Sequence, residues 1–290
     1  MAINNKMYTY NTLAKPTENL LTKGYADKCT ATFNIKTRKD GISFQGRASS
    51  CSATSKTGNA FILSKFALQH QNFMWKVKRS SGGVGVFELN YVPLDLMDNL
   101  RFKGRGEIAN IGQKFRPLFS ADLAYSKSFM NADIKIAENP MTLASSLTLW
   151  NKSVGIGGNL GFEIATQSFC SMGLAAWWTK NDTELVVKYE AQNLNVYAYK
   201  SISDRLKVGG IAQSDSQGKE VKFEAGGSYQ YNNDLLLKAK GNTEGNLAFS
   251  AEKTIDDNLK VVTTAHGKVY QADLVKFNFG FRINANYEHK

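Results

Sequence analysis

The chain lacks any long apolar run: its richest stretch, Gly173 to Trp178, falls far short of the roughly 18 consecutive apolar residues of a spanning helix. A membrane crossing would therefore have to be made by strands. Cysteine is scarce as well. Cys29, Cys51 and Cys170 are far apart, odd in number and without C-x-x-C spacing, which points away from a disulfide framework or a zinc cage. His70, His266 and His289 form no metal spacing, there is no G-x-x-x-x-G-K-[ST] loop, and the run Gly155 to Gly161 lacks the G-x-G-x-x-G pattern. No catalytic residue, metal or cofactor is expected, and the glycine run reads as strand curvature or close packing. The opening MAINNKMYTYNTLAKP has neither the apolar core of a secretory signal nor the Arg- and Ser-rich character of a transit peptide, so no cleaved address is expected.

What the chain has in abundance is alternation. With 42% hydrophobic residues and 4 Pro in 290 positions, it can form one large β domain or two smaller ones. From about Ala26 onward apolar residues recur at every second position, which is the period of a strand. Cys29, Ala31, Phe33 and Ile35 alternate with Lys28, Thr30, Thr32, Asn34 and Lys36. Val275, Phe277, Phe279, Phe281 and Ile283 alternate with Lys276, Asn278, Gly280, Arg282 and Asn284. About nineteen such segments follow residue 25, with the spacing of tilted spanning strands and their turns. Turn residues precede Leu100, Leu206, Leu235 and Leu259 in a loose repeat, and Asp40-Gly41 is a hairpin signal. Pro93, Pro117 and Pro140 fall at or near strand ends. Only the start departs from this period: Leu13, Leu20 and Leu21 share a helical face, with Pro16 in the first turn of a short helix ending near Gly24.

About nineteen strands closed on themselves enclose a space too wide for side chains to fill, so the polar face would line water and the apolar face would meet lipid. The expected fold is all-β: a transmembrane barrel of about nineteen strands over residues 25–290, preceded by an N-terminal segment, 1–24, with a short helix. Trp75, Trp150, Trp177 and Trp178 are expected near strand ends or outer faces, as an interfacial girdle.

The formal net charge of +11 implies attraction to anions. Lys28, Lys36, Arg47, Arg101, Lys103, Arg105, Lys207, Lys222, Lys238, Lys260, Lys276 and Arg282 occupy the polar phase and would line the pore. Glu107, Glu163, Glu224 and Glu252 share that phase, so only a weak anion preference is expected.

Leu21-Thr22-Lys23-Gly24-Tyr25, followed by Phe33-Asn34-Ile35-Lys36-Thr37 and Gly41-Ile42-Ser43-Phe44, resembles the start of the mitochondrial voltage-dependent anion channel family, the eukaryotic porins. The likeness continues through Asn99-Leu100-Arg101-Phe102, Gly161-Phe162-Glu163-Ile164-Ala165-Thr166 and Asn258-Leu259-Lys260-Val261-Val262. Asn278, Gly280, Ile283 and Ala285 look like that family's C-terminal membrane-insertion signal. The resemblance implies nineteen strands, a helix inside the lumen and passive passage of ATP, ADP, phosphate and inorganic anions across the mitochondrial outer membrane. It also implies pore-facing roles for Lys15 and Lys23, the lipid bilayer as partner, and self-association or association with other membrane complexes; no nucleic acid is expected. The chain departs from the family where Ala26-Asp27-Lys28 replaces hinge glycines, where Glu18 replaces a basic residue, and where His70 stands near a family glutamate. Damped helix motion is the expected consequence. The rival readings are a protein-import pore of the same barrel family, which would favour an acidic lumen, a porin-like structural subunit, and a soluble basic nucleic-acid binder.

Overall fold

The computed structural model describes residues 9–26, 30–39, 42–51, 60–70, 73–80, 85–91, 100–111, 114–138, 140–214, 220–270 and 273–288. After a 3-10 turn at Tyr10–Thr12 and the helix α1 (Lys15–Thr22), every regular element among the described residues is a strand. The first seven are β1 (Thr30–Lys39), β2 (Ile42–Cys51), β3 (Ala60–His70), β4 (Phe73–Ser80), β5 (Gly85–Tyr91), β6 (Leu100–Ile111) and β7 (Lys114–Lys127). Then come β8 (Met130–Ala137), β9 (Thr142–Asn151), β10 (Val154–Glu163), β11 (Ser168–Lys180), β12 (Thr183–Glu190) and β13 (Asn193–Ser201). The last six are β14 (Leu206–Ser214), β15 (Val221–Gln230), β16 (Leu235–Asn242), β17 (Asn246–Asp256), β18 (Leu259–Tyr270) and β19 (Asp273–Glu288).

All belong to one sheet in which each strand pairs antiparallel with the next. β1 also pairs with β19, in parallel, so the run of pairings returns to its start. An odd number of alternating strands brings the first and last together in the same direction, which is why this single junction is parallel. Every described strand thereby has a paired neighbour on each side, the arrangement that satisfies strand backbone groups in hydrocarbon. No described helix is long and apolar enough to cross a membrane.

Burial runs opposite to that of a water-soluble domain. Large apolar side chains stand exposed on one face: Phe279 is 72% exposed, Ile156 62% and Leu174 61%. Buried polar side chains occupy the alternate positions, among them Thr32, Asn131, Thr148, Ser228, Ser250 and Thr264. The polar face is the inner one, because the N-terminal segment packs on it. That segment contributes Tyr10, Leu13, Ala14, Leu20, Leu21, Tyr25 and Ala26 to the short list of buried apolar residues.

Several sequence expectations change here. Trp177 is 4% exposed on the inner face, in a cluster with Tyr10, Leu13, Ala14, Ala175 and Val186, and Trp150 packs against it. Neither belongs to an outer girdle, because the N-terminal segment needs an apolar seat on an otherwise polar wall. Trp178, one residue on, is exposed on the outer face; the Trp75 side chain lies outside the described residues. Leu13 is buried but precedes α1, since Ala14 takes a left-handed φ of 65° and breaks the chain between the 3-10 turn and the helix. The inner path continues past Gly24 to Ala26, and β1 opens at Thr30. Pro117 lies within β7, opposite Ile108. Asp40-Gly41, Pro93 and the side chain of Cys51 lie outside the described residues.

Candidate functional site

Nothing in the fold is more unusual than a segment of 17 residues, Tyr10 to Ala26, laid across the inner wall from β9 round to β19. Its two ends are held by different chemistry. At the start, the contacts are apolar and aromatic. Lys188 is buried with its Nζ 5.5 Å from the Tyr10 ring centroid and 5.7 Å from that of Tyr197, so two π faces hold one ammonium group. Burial first, and then the nearby Glu190 carboxylate, push the Tyr10 phenol above its usual range.

In the middle, α1 (Lys15–Thr22) begins with Pro16 in its first turn and Glu18 near its positive end. It packs on β13, β14 and β15 through Thr17, Leu20 and Leu21. The wall makes room with two glycines. A β-carbon on Gly209 would stand 2.9 Å from Ala198 O and 3.1 Å from Leu20 Cδ2, and one on Gly226 would stand 2.7 Å from Ala239 O and 2.9 Å from Leu21 Cδ2. Alanine at either position would crowd a carbonyl of the adjacent strand as well as the leucine seated against it.

At the far end the contacts are hydrogen bonds to backbone. The Lys23 N–H still donates to Asn19 O at 3.0 Å, closing the helix, and Gly24 follows with φ 81°. Four successive carbonyls then meet four strands. Lys238 Nζ on β16 donates to Lys23 O at 2.9 Å, and Ser250 Oγ on β17 donates to Gly24 O at 2.7 Å. An Arg282 guanidinium nitrogen on β19 donates to Tyr25 O at 2.7 Å, and His266 Nε2 on β18 lies 2.7 Å from Ala26 O. Because a carbonyl only accepts, the His266 nitrogen is the donor. The Ala26 N–H donates to Thr264 Oγ1 at 2.8 Å. The Tyr25 ring lies 5.0 Å below Lys240 Nζ, and burial, with the Glu224 carboxylate adding to it, pushes the phenol up to about 12. Beside it Thr22, Tyr25, Glu224, Lys240, Asn242, Asn246 and His266 line a cavity of about 460 Å³.

The cations expected along the wall separate into groups. Lys238 and Arg282 are engaged with the segment. Lys222 pairs with Glu244 at 2.9 Å, and Lys260 with Glu252 at 3.7 Å. In the β16–β17 turn, Glu244 is held below the usual carboxylate range by that Lys222 partner. Arg47, on β2 opposite Asn34, is half-buried and has partners of its own. Lys15, Lys23, Lys36 and Lys207 are exposed, with no carboxylate in ion-pair range among the described residues. Arg101, Lys103 and Arg105 stand at alternate positions of β6, and Lys276 lies on β19; their side chains, like residue Lys28, lie outside the described residues. On β19, Asn278 pairs with His266 and Gly280 with Thr264, while Ile283 and Ala285 face Phe33 and Ile35 of β1 across the parallel junction.

Ser250, Thr264 and His266 were not among the expected functional residues. Their strand phase places them on the polar face, but only the path of the segment shows what they bind. His70 lies on β3, with its side chain outside the described residues.

The eukaryotic porin family matches residues 6–280. The voltage-dependent anion-selective channel of Drosophila melanogaster is 22% identical over 285 residues, covering 96% of this chain and 99% of that protein. A match across nearly the whole chain, on a ring of paired strands holding an internal segment, shows that the chain belongs to the eukaryotic porin family.

Proposed function

We propose that this porin, a channel rather than an enzyme, is a transmembrane barrel of nineteen strands whose lumen passes small metabolite anions, ATP, ADP and phosphate among them, across the mitochondrial outer membrane. The observation that carries the reading is the inverted burial: Phe, Ile and Leu exposed outward, with polar residues and the N-terminal segment inside. The name of the Drosophila relative supports an anion path. The segment narrows the lumen on the side of β9 to β19, leaving the opposite wall for solute. Lys15, Lys23, Lys36 and Lys207, joined by Arg101, Lys103 and Arg105 on β6, supply the field that favours anions. Asn278, Gly280, Ile283 and Ala285 on β19 serve as the insertion signal.

Planar-bilayer recording under a salt gradient tests conduction and charge preference together. Reversing Lys23 and Lys207 to Glu, or Lys23, Arg101 and Lys103 to Glu, should move the reversal potential towards cations. Neutralising both members of an ion pair, Lys222→Gln with Glu244→Gln, removes no net charge and should leave it unmoved. A protein that does not conduct, or a reversal potential indifferent to the charge reversals, would remove the reading.

A further inference from the structure

We propose that Lys238 and Arg282 are positioning residues: they act as hydrogen-bond donors that lock the exit of the N-terminal segment, and so hold the width of the pore steady, instead of serving as charges that recruit anions. The inference rests on the pore reading for its functional consequence, but its geometry stands without it.

Gly24 is the pivot. With φ 81° and no side chain, it is where the chain leaving α1 has the most rotational freedom. Lys238 holds the Lys23 carbonyl of the peptide before it, Ser250 holds the Gly24 carbonyl of the peptide after it, and Arg282 holds the Tyr25 carbonyl one peptide further on. Fixing the peptides on both sides of a glycine removes the two torsions through which it could swing the helix. The remaining contacts, from Thr264 and His266 on β18, extend the same row to Ala26.

The absent side chain at Gly24 is also what admits the lysine, since a β-carbon there would lie 3.0 Å from Lys238 Nζ. Donors carrying full charge make roughly twice as strong a bond as neutral ones. Lys238 is thus well suited to the Lys23 carbonyl, which at the C-cap of α1 lacks an intrahelical partner and lies at the negative end of the helix dipole.

The test uses the full-length protein in lipid with Cys29, Cys51 and Cys170 changed to Ser and a reporter introduced as Thr17→Cys. Thr17 is 1% exposed on the face of α1 turned to the wall. A water-soluble methanethiosulfonate reagent should label the reporter slowly. Adding Lys238→Met and Arg282→Met should speed labelling by about tenfold or more, the expected loss for charge-assisted bonds that oppose local opening. Lys238→Arg with Arg282→Lys should restore slow labelling, and Lys253→Met, on the outer phase of β17, should change nothing.

In single-channel records the methionine pair should make the open current fluctuate between levels, and the swapped pair should steady it. Equal labelling rates in the parent and the methionine pair, or no recovery in the swapped pair, would overturn the proposal. Labelling needs no current, so a parent that fails to conduct removes the pore reading while the clamp is still judged on its own.

Discussion

Asn34 Nδ2 donates to Asn284 Oδ1 at 2.7 Å across the junction where β1 and β19 run in parallel. This is the one place where the sheet is joined by strands from opposite ends of the chain. Eight residue pairs, from Ala31 and Phe281 to Arg38 and Glu288, form its ladder. Parallel ladders are slightly weaker per residue than antiparallel ones, so a side-chain staple matters more here than elsewhere.

Asn34→Ala should therefore weaken the junction selectively. The half-buried Asn284 amide is left without its partner, at a cost of about 1–3 kcal/mol. Urea titration of the protein in lipid should show the lower midpoint, and hydrogen exchange should rise along β1 and β19 before it rises along β12 and β13. Uniform exchange across the sheet would show that the staple has no local role.

The strands were legible because alternation is a local property. Leu100, Leu206, Leu235 and Leu259, each placed after a turn by its neighbours in sequence, are the first residues of β6, β14, β16 and β18. Asn232 Oδ1 accepts the N–H groups of Asp234 and Leu235, which explains why an Asn opens one of these turns. The site was legible only in part. Period two puts Lys238 and Thr264 on the polar face, but the bond from Ala26 to Thr264 spans 238 positions, and no local pattern encodes it. The same limit misplaced Trp177, whose neighbours in space are Tyr10 and Leu13 rather than lipid.

A second turn shows where local chemistry and fold disagree. Asn181 and Asp182, joining β11 to β12, both have positive φ, 45° and 59°, and both are residues that tolerate it. Ala191 and Gln192, joining β12 to β13, adopt the same geometry with φ 49° and 66° but have no such tolerance. Left-handed backbone costs such residues roughly 1–2 kcal/mol each. Replacing Ala191 with Asn and Gln192 with Gly should stabilise the protein by at least about 1 kcal/mol, because Asn-Gly suits this two-residue hairpin. Thermal melting in detergent micelles would show the gain. An unchanged or lower melting temperature would mean that the flanking pair, Glu190 and Asn193, is strained by the tighter turn.

Tyr25 links the clamp to alkaline pH. Its phenol is buried, beneath Lys240 and near Glu224, and its pKa is about 12 against an ordinary value of about 10. The raised value means that the folded protein keeps the proton while the unfolded chain releases it. This contribution to stability is therefore complete below pH ~10 and is lost as pH rises towards ~12. Tyr25→Phe should melt within about 1 kcal/mol of the parent at neutral pH, since the buried hydroxyl has no hydrogen-bond partner in the structure to lose. Between those two pH values the parent should lose more stability than the variant, and the difference in phenolate absorbance between them should develop near the upper one. A difference spectrum that develops at the ordinary phenol pKa would place Tyr25 in water, with its backbone carbonyl no longer held against β19.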